Sequence, residues 1–412
     1  MIPDAAERRV EAHPAPPIAQ PIAQLIAQPS AQPWQILCGL IVSGFLLALP
    51  GGFLPLWGYH IHPDFGTAGN YFLALGIGVA AGGWLAQREA HRVALERLLA
   101  AGCFTGALAL LLLAEAAPPA QVWYQSGALL VAGLAAGIVN TAVLEGMANS
   151  YESNPATITL MAGVAFGAGS VLAALLMAES FGEQGAVRLL AVMALLPAGA
   201  GWLFSRLRIQ RAEVQELPLA QTVSDLRSPL AILFALLLFF QFANEWSLAG
   251  WLPVFLVDRL GLSPSTAVTL LALYWLALML GRLAVSRLLL VARHGRLLAG
   301  SAACALVGCT ALMAADNGFG VVTGLLLTGL GFSAIYPLAA ERIASRFSYY
   351  HPGYFNGIFT FALMGGILSP FVLGHWAERS GLSVVPLAVL AGSCAVFGLV
   401  LLIWLGSKVS GH

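Results

Sequence analysis

Two glutamates lie deep inside apolar runs, where an ionisable side chain costs several kcal/mol unless it is paired or hydrated. Glu145 has Thr141 and Asn149 one helical turn to either side. A helix would line the three up on one face, and such a polar stripe suits a water-filled cavity, not lipid. Glu245 has Gln241 one turn before it and Asn244 beside it, so Gln241, Asn244, Glu245 and Leu248 are expected to share a face. At 1.5 Å per residue, Glu245 lies ~24 Å along a helix that starts at Pro229, past the bilayer midplane. An apolar wall favours the neutral form of a carboxyl group, and a neutral acid is cheaper to enclose. Reversible protonation linked to closure of a cavity is therefore the chemistry these two acids offer, with a ligand role as its companion. The structural alternatives stay open. Glu145 would then tie two helices or form an intracellular gate, and Glu245 would cap or pack near a kink.

Other polar groups fall in the same apolar stretches. Arg282 follows Trp275 by seven residues and shares its face; it either pairs with an acid or snorkels to the interface. Glu341 stands beside Arg342 and near Arg346 as a gate or surface ion pair. Arg88, Arg282 and Glu341 are the gating candidates. Asn140, Gln241, Asn244 and Asn356 can read hydroxyl groups, and Trp246, Tyr274 and Tyr336 offer faces on which a sugar ring would stack. Aromatic residues also serve as lipid-facing and interfacial anchors. His375 reads as a packing residue.

The elements that must carry these residues follow from composition. Of 412 residues, 59% are hydrophobic and 9% charged, with a mean hydropathy of +0.84. A soluble domain carries about a quarter charged residues, so an ordinary soluble enzyme is excluded. With 19 basic and 19 acidic residues the chain has no net field to attract nucleic acid. The apolar stretches divide into twelve spans of helical length, at 34–58, 67–87, 95–116, 121–150, 155–178, 186–205, 229–256, 264–290, 296–315, 318–341, 352–377 and 383–407. Residues 1–33, with their Pro-Ile-Ala-Gln repeats, read as a disordered cytoplasmic tail. The polar segment 206–228 reads as a cytoplasmic linker between two six-helix sets, 34–205 and 229–407. If both termini are cytoplasmic, all but Arg188, Arg259 and Arg379 of the 19 basic residues fall on the cytoplasmic side. That bias predicts a multi-pass protein of the inner (plasma) membrane with both termini inside. Cys38, Cys103, Cys304, Cys309 and Cys394 all sit in apolar segments and read as reduced, buried hydrophobes. The 45 glycines, among them Gly76, Gly78, Gly82, Gly83, Gly163 and Gly167, mark close helix contacts, either plain packing or sliding surfaces.

The two sets repeat each other. Residues 133–145 (GLAAGIVNTAVLE) align with 329–341 (GLGFSAIYPLAAE) at an offset of 196, and the same offset carries Trp34 to Leu230. After each Glu come a polar loop, a proline (Pro155, Pro352) and a Gly-rich helix. Parallel six-helix repeats are the major facilitator architecture, with substrate near the midplane between the halves. Several segments resemble the fucose:proton symporter family within that superfamily. These are Leu144-Glu145-Gly-Met-Ala148-Asn149, then Gln241-Phe242 with Trp246 and Leu252, then Gly281-Arg282. Phe332, Ser333 and Pro337, and Gly365-Gly366 with Pro370 and Gly374, complete the set. The resemblance implies an all-α membrane protein of twelve spanning helices in two pseudo-symmetric bundles, with spans one, four, seven and ten lining the cavity. Two departures stand out. The first span has no acidic residue where that family carries its proton-coupling acid, and reads Pro50-Gly-Gly-Phe-Leu-Pro55, a pattern that breaks a helix. Gln87 replaces the usual Asp in the Gly83–Arg88 loop signature.

The expected function is secondary active transport of a small polar solute, a sugar or related metabolite, by alternating access and with proton coupling through Glu145 and Glu245. The alternatives are a drug or lipid exporter of the same superfamily, and a sodium-coupled or uncoupled sugar transporter. No cofactor is expected beyond the proton or sodium that couples transport, and the chain is expected to act as a monomer in a lipid bilayer. No HExxH or GxxxxGK[ST] pattern points to a metalloenzyme or an ATP-driven pump.

Overall fold

Twelve helices long and apolar enough to span a bilayer make up the computed structural model, which describes residues 33–118, 120–148, 155–181, 186–209, 228–347 and 357–409. They are α1 (Pro33–Leu56), α2 (Phe65–Glu89), α3 (Leu95–Glu115), α4 (Val122–Gly146), α5 (Pro155–Phe181) and α6 (Val187–Arg206). The second half has α7 (Pro229–Leu260), α8 (Pro264–Leu288), α9 (His294–Ala314), α10 (Gly318–Arg346), α11 (Ile358–Ser380) and α12 (Val384–Leu405). The tail before residue 33 and most of the linker lie outside the described residues, as do Asn149 and Asn356. Large apolar side chains along the spans, such as Leu195, Trp202, Val307 and Leu402, point outward, as suits a surface that faces lipid.

Most span boundaries shift by a few residues, and two features of the spans have a readable reason. The first span is interrupted at Ala48, between helical pieces Pro33–Leu47 and Leu49–Leu56. Pro50 and Pro55 supply no backbone N–H there, so the ladder breaks where the sequence predicted. The α7 helix runs on past residue 256 because its stop signal is further along, at Gly261, which closes it in a left-handed conformation (φ 62°). Connections on that side carry their own signals. Asp64, Ser263 and Asn317 each accept a hydrogen bond from a backbone N–H in the first turn of α2, α8 and α10. We call this side the loop face, and the side holding Pro33 and the end of α12 the terminal face.

Helix contacts repeat with a shift of six. The α1 helix packs on α4 and α5, α2 on α4, and α3 on α4 and α6; likewise α7 packs on α10 and α11, α8 on α10, and α9 on α10 and α12. Glycines 196 positions apart occupy equivalent crossings. A Cβ on Gly133 would meet the α2 backbone at Leu75, and one on Gly329 the α8 backbone at Tyr274. Gly169 touches the carbonyl of Ile41 in α1, and Gly365 that of Phe239 in α7. The halves meet through α5 with α8, α2 with α11, and the second piece of α1 with α7. Of the glycines singled out, Gly76, Gly163 and Gly167 face the other half (Ile367, Arg282 and Met279), whereas Gly78 and Gly82 pack within the first half on α4. The cysteines are free, but only Cys103 and Cys309 are buried; Cys38 and Cys304 are half-buried, and Cys394 is exposed because its face of α12 looks out of the bundle.

Candidate functional site

A cavity of about 230 Å³ lies between the halves, in the terminal-face part of the spanning region. That is room for a small solute of several heavy atoms, not a lone water. Its wall takes Leu40 and Leu47 from α1, Asn140 and Thr141 from α4, and Thr159, Gly163 and Phe166 from α5. The second half supplies Phe242, Glu245 and Trp246 from α7, Arg282 from α8, Tyr336 from α10, and Phe359, Thr360 and Leu363 from α11. Helices α1, α4, α7 and α10 all reach it, as the resemblance implied, joined by α2, α5, α8 and α11.

The charges on this wall form one linked group. Arg282 Nη2 donates to Glu245 Oε1 at 3.3 Å, and Arg282 Nη1 donates to the Gly163 carbonyl at 2.8 Å. Gln241 Nε2 donates weakly to Glu245 Oε2 at 3.5 Å and to the Phe332 carbonyl at 3.4 Å. The ion-paired side chains are 7% and 9% exposed. Arg282 therefore does not snorkel. Its guanidinium crosses from α8 to α5 of the other half, and it fits because Gly163 has no side chain: a Cβ there would collide with Arg282 Cδ, Nε and Cζ. Arg282 Nε and Gln241 Oε1 are buried without a hydrogen-bond partner among the described residues.

Aromatic rings close the wall above and beside this pair. Phe166 of the first half meets Trp246 at 6.1 Å and Trp275 at 6.0 Å, both edge or tilted contacts. Phe242, Tyr336 and Phe359 form a second group, with centroids 5.1 and 6.3 Å apart.

Beyond the aromatic layer the halves pack closely, leaving only a water-sized space of about 10 Å³ between Gly51, Phe72, Trp246 and Gly250 among the described residues. Ser265 Oγ of α8 donates to the Ala178 carbonyl at 2.8 Å. Gly51 of α1 lies against Ala249 of α7, and Gly69 of α2 against Phe371 and Gly374 of α11. Trp251 of α7 packs on Phe65 and Phe72 of α2. At the rim, Glu378 of α11 accepts from the Phe65 N–H at 2.6 Å and the Gly66 N–H at 3.2 Å. A carboxylate of one half thus caps the helix N-terminus of the other. His375, one turn back, packs on Phe371 as a tilted ring with centroids 4.7 Å apart.

The structure sorts the predicted site residues. Asn140, Glu245, Trp246, Tyr336 and Arg282 share the cavity wall. Gln241 does not reach it; fully buried, it supports Glu245 from behind. The expected stripe of Gln241, Asn244 and Glu245 is therefore corrected at Asn244. One residue is about 100° of helix rotation, which turns Asn244 away to donate to Ser393 of α12 at 3.3 Å. Tyr274 likewise does not line the cavity; its hydroxyl is buried without a described partner, and its neighbour Trp275 packs behind Phe166 and Trp246. Glu145 is buried in the last turn of α4, one turn beyond Thr141 and off the described wall. Glu341 pairs with His294 Nε2 at 3.0 Å, at the terminal-face end of α10. Arg88 is exposed at that face, over the Trp84 ring at 5.3 Å. Asn356 lies outside the described residues. Phe166, Thr159 and Thr360 went unnoticed in the sequence, because a single aromatic or hydroxyl in an apolar helix carries no period; only the facing half reveals them.

A bundle of twelve spanning helices with contacts repeating after six, and a cavity between the halves whose largely apolar wall carries an ion pair, is the architecture of a membrane transporter. A family model described as Major Facilitator Superfamily matches residues 156–370, more than half of the chain, and the chain belongs to that superfamily. An uncharacterized MFS-type transporter of Yersinia pestis is 28% identical over 148 residues, which is 36% of this chain and 38% of that protein; the chain thus matches little over a third of that relative. Among solved structures, the transporter FucP in its outward conformation superposes with a TM-score of 0.63 at 16% identity, over 90% of this chain and 99% of that one. A single-residue variant of the E. coli fucose:proton symporter FucP gives a TM-score of 0.58 at 16% identity, over 90% and 98% of the two chains. At that identity the likeness concerns the fold.

Proposed function

We propose that the chain is a proton-coupled secondary transporter of a small polar solute, a sugar or related metabolite, working by alternating access. The observation that carries this reading is the Glu245–Arg282–Gly163 link, which joins a protonatable group on the cavity wall to the opposite half of the molecule. With Glu245 ionised, Arg282 is balanced, and both charges stay in place. When Glu245 takes a proton, the attraction that holds Arg282 beside it ends, and the guanidinium must seek another anion or dipole. Occupancy of one carboxyl by a proton is thereby tied to the contact between halves. Asn140, Tyr336 and Trp246, which line the cavity, would bind hydroxyls and a ring face. The basic-residue bias supports a cytoplasmic terminal face, so the cavity and the sealed loop face together correspond to an inward-facing state. Arg88, Glu145 and Glu341, all at the terminal-face ends of their helices, would take part when that face closes.

Uptake into proteoliposomes tests the reading, using neutral sugars and their oxidised and reduced derivatives, with and without an imposed pH gradient. Gradient-driven uptake that Glu245→Gln abolishes is expected. Uptake that requires sodium and ignores pH, or a Glu245→Gln protein with full gradient-driven uptake, would refute it. Leu40, Leu47, Phe242 and Leu363 on the wall favour a second reading, export of an amphipathic solute. Competition of sugar uptake by a hydrophobic cation, with none by polyols, would favour it.

A further inference from the structure

The geometry points to a carboxylate on the transported solute: we propose that Arg282 binds a small hydroxy carboxylate of the sugar-acid kind, which takes Glu245's place when Glu245 is protonated. The inference rests on the proton-coupled reading above and names its substrate class.

Arg282 is the one Lys or Arg side chain on the described cavity wall, and it is poorly satisfied. A guanidinium has five N–H groups. Nη1 and Nη2 each make one described bond, and Nε makes none. Its contact to Glu245 is single and long, 3.3 Å, where charge-assisted N–H···O bonds run to about 2.7–2.9 Å and Arg–carboxylate pairs are often two-pronged. Among the described residues, Glu245's other oxygen has only the 3.5 Å contact from Gln241. An incoming carboxylate that is free to orient can make the better pair.

Charge balance then selects the solute. The titratable and charged groups facing Glu245 are Arg282 and Tyr274 from α8 and Tyr336 from α10. Arg282 is the only cation among them. If Glu245 is protonated while a neutral solute sits in the cavity, Arg282 is left as an uncompensated charge between closing walls, the costliest arrangement available. A carboxylate restores neutrality. Its negative charge enters as the proton enters, the proton rests on a Glu245 oxygen, and the Arg282 N–H groups turn to the solute. Asn140, Thr141, Thr159 and Thr360 then face the rest of the solute with hydroxyl and amide groups, which suits a hydroxylated chain better than a bare hydrocarbon tail.

The test uses the purified full-length protein. Binding of lactate, glycerate and gluconate is compared with that of the matching neutral propanediol, glycerol and glucose, followed by tryptophan fluorescence and calorimetry. At least one acid should bind about tenfold or more tightly than its neutral partner, the factor of ~1.4 kcal/mol. Arg282→Gln should remove that preference. Arg282→Lys should retain part of it, and unchanged binding of the neutral partners by Arg282→Gln shows that its loss of preference is not unfolding. Glu245→Gln, which imitates the protonated acid, should keep acid binding but lose its dependence on pH. In proteoliposomes, uptake of the acid with one proton moves no net charge, so it should respond to a pH gradient and not to an imposed potential. Equal or tighter binding of the neutral partners, no saturable binding of any acid, or an unchanged preference in Arg282→Gln would overturn the inference. Gradient-driven, potential-sensitive uptake of a neutral sugar would sink the carboxylate and leave proton-coupled sugar transport standing. Arg282-dependent acid binding without any gradient-driven uptake would do the reverse.

Discussion

The two halves are equivalent where backbone touches backbone and different where side chains meet the cavity. Gly133 and Gly329, and Gly169 and Gly365, hold matching helix crossings at one offset. On the wall, the first half supplies hydroxyls, an amide and aliphatic side chains, whereas the second supplies both charges and most of the aromatic rings. The repeat therefore preserves the scaffold, which tolerates no Cβ, and lets the cavity diverge. The polar work is concentrated in α7 and α8, and the first half answers with a bare carbonyl at Gly163.

That asymmetry is broken most directly at Glu245. Glu245→Gln should lower gradient-driven uptake by about two orders of magnitude, the range associated with losing a positioned proton carrier, while exchange across the membrane without a gradient persists. Proteoliposome flux under both conditions checks it. Equal losses in Glu245→Gln and Glu145→Gln would mean that the first half carries as much of the coupling as the second. Removing the base instead, Arg282→Ala, leaves a buried acid unpaired and should destabilise the protein by about 3–5 kcal/mol unless Glu245 becomes protonated. Thermal unfolding in detergent should then show the double variant Arg282→Ala/Glu245→Gln recovering much of that loss.

The equivalence is sharpened at the glycines. Gly169→Leu and Gly365→Leu each drive a side chain into a backbone carbonyl of the neighbouring helix, and each should cost about 1–3 kcal/mol or more. Similar falls in melting temperature are expected. A large effect at one and none at the other would show that the shared crossing is not shared in energy.

Glu145 and Glu341 stand at the same offset and fare differently. Glu145 is 4% exposed, whereas the Glu341 side chain is 28% exposed and paired with His294. Glu341→Gln should change stability by about 1 kcal/mol or less, as a partly screened pair does. Glu145→Gln should cost about 1–3 kcal/mol, because a buried carboxyl group gives up hydrogen bonds that an amide cannot fully replace. Chemical denaturation of the two variants side by side decides this.

Much of this was legible in the sequence, and the illegible part has a physical cause. Twelve spans, the broken first span and the repeat follow from hydropathy, from Pro50 and Pro55, and from glycine spacing, all of which act locally along the chain. Glu245 and Arg282 were each visible as a charge in an apolar helix. Their pairing was not, because it joins residues 37 apart on different helices. A count of uncompensated intramembrane charges, one acid on α7 against one base on α8, was the signal available. Asn244 misled for the opposite reason: a polar residue beside a functional one is about 100° round the helix from it and serves a different neighbour.

The smallest effect is expected at the loop face, where the seal between halves rests on packing, on the Ser265–Ala178 hydrogen bond and on one charged side chain, Glu378. Its carboxylate accepts from two N–H groups at the start of α2, while Asp64 caps the same turn from within the first half through Thr67. A charge at a helix N-terminus contributes about 0.3–1 kcal/mol, so Glu378→Gln should weaken closure only a few-fold. Because Asp64 caps its own helix, it moves with α2 when the halves part, whereas Glu378 lets go. Amide hydrogen exchange distinguishes the two. Glu378→Gln should speed exchange at Phe65 and Gly66 by a few-fold and leave Thr67 unchanged. If all three amides accelerate together, the start of α2 is fraying and Glu378 is a cap like Asp64; if none does, apolar packing of Trp251 on Phe65 and Phe72 holds the loop face shut without help from charge.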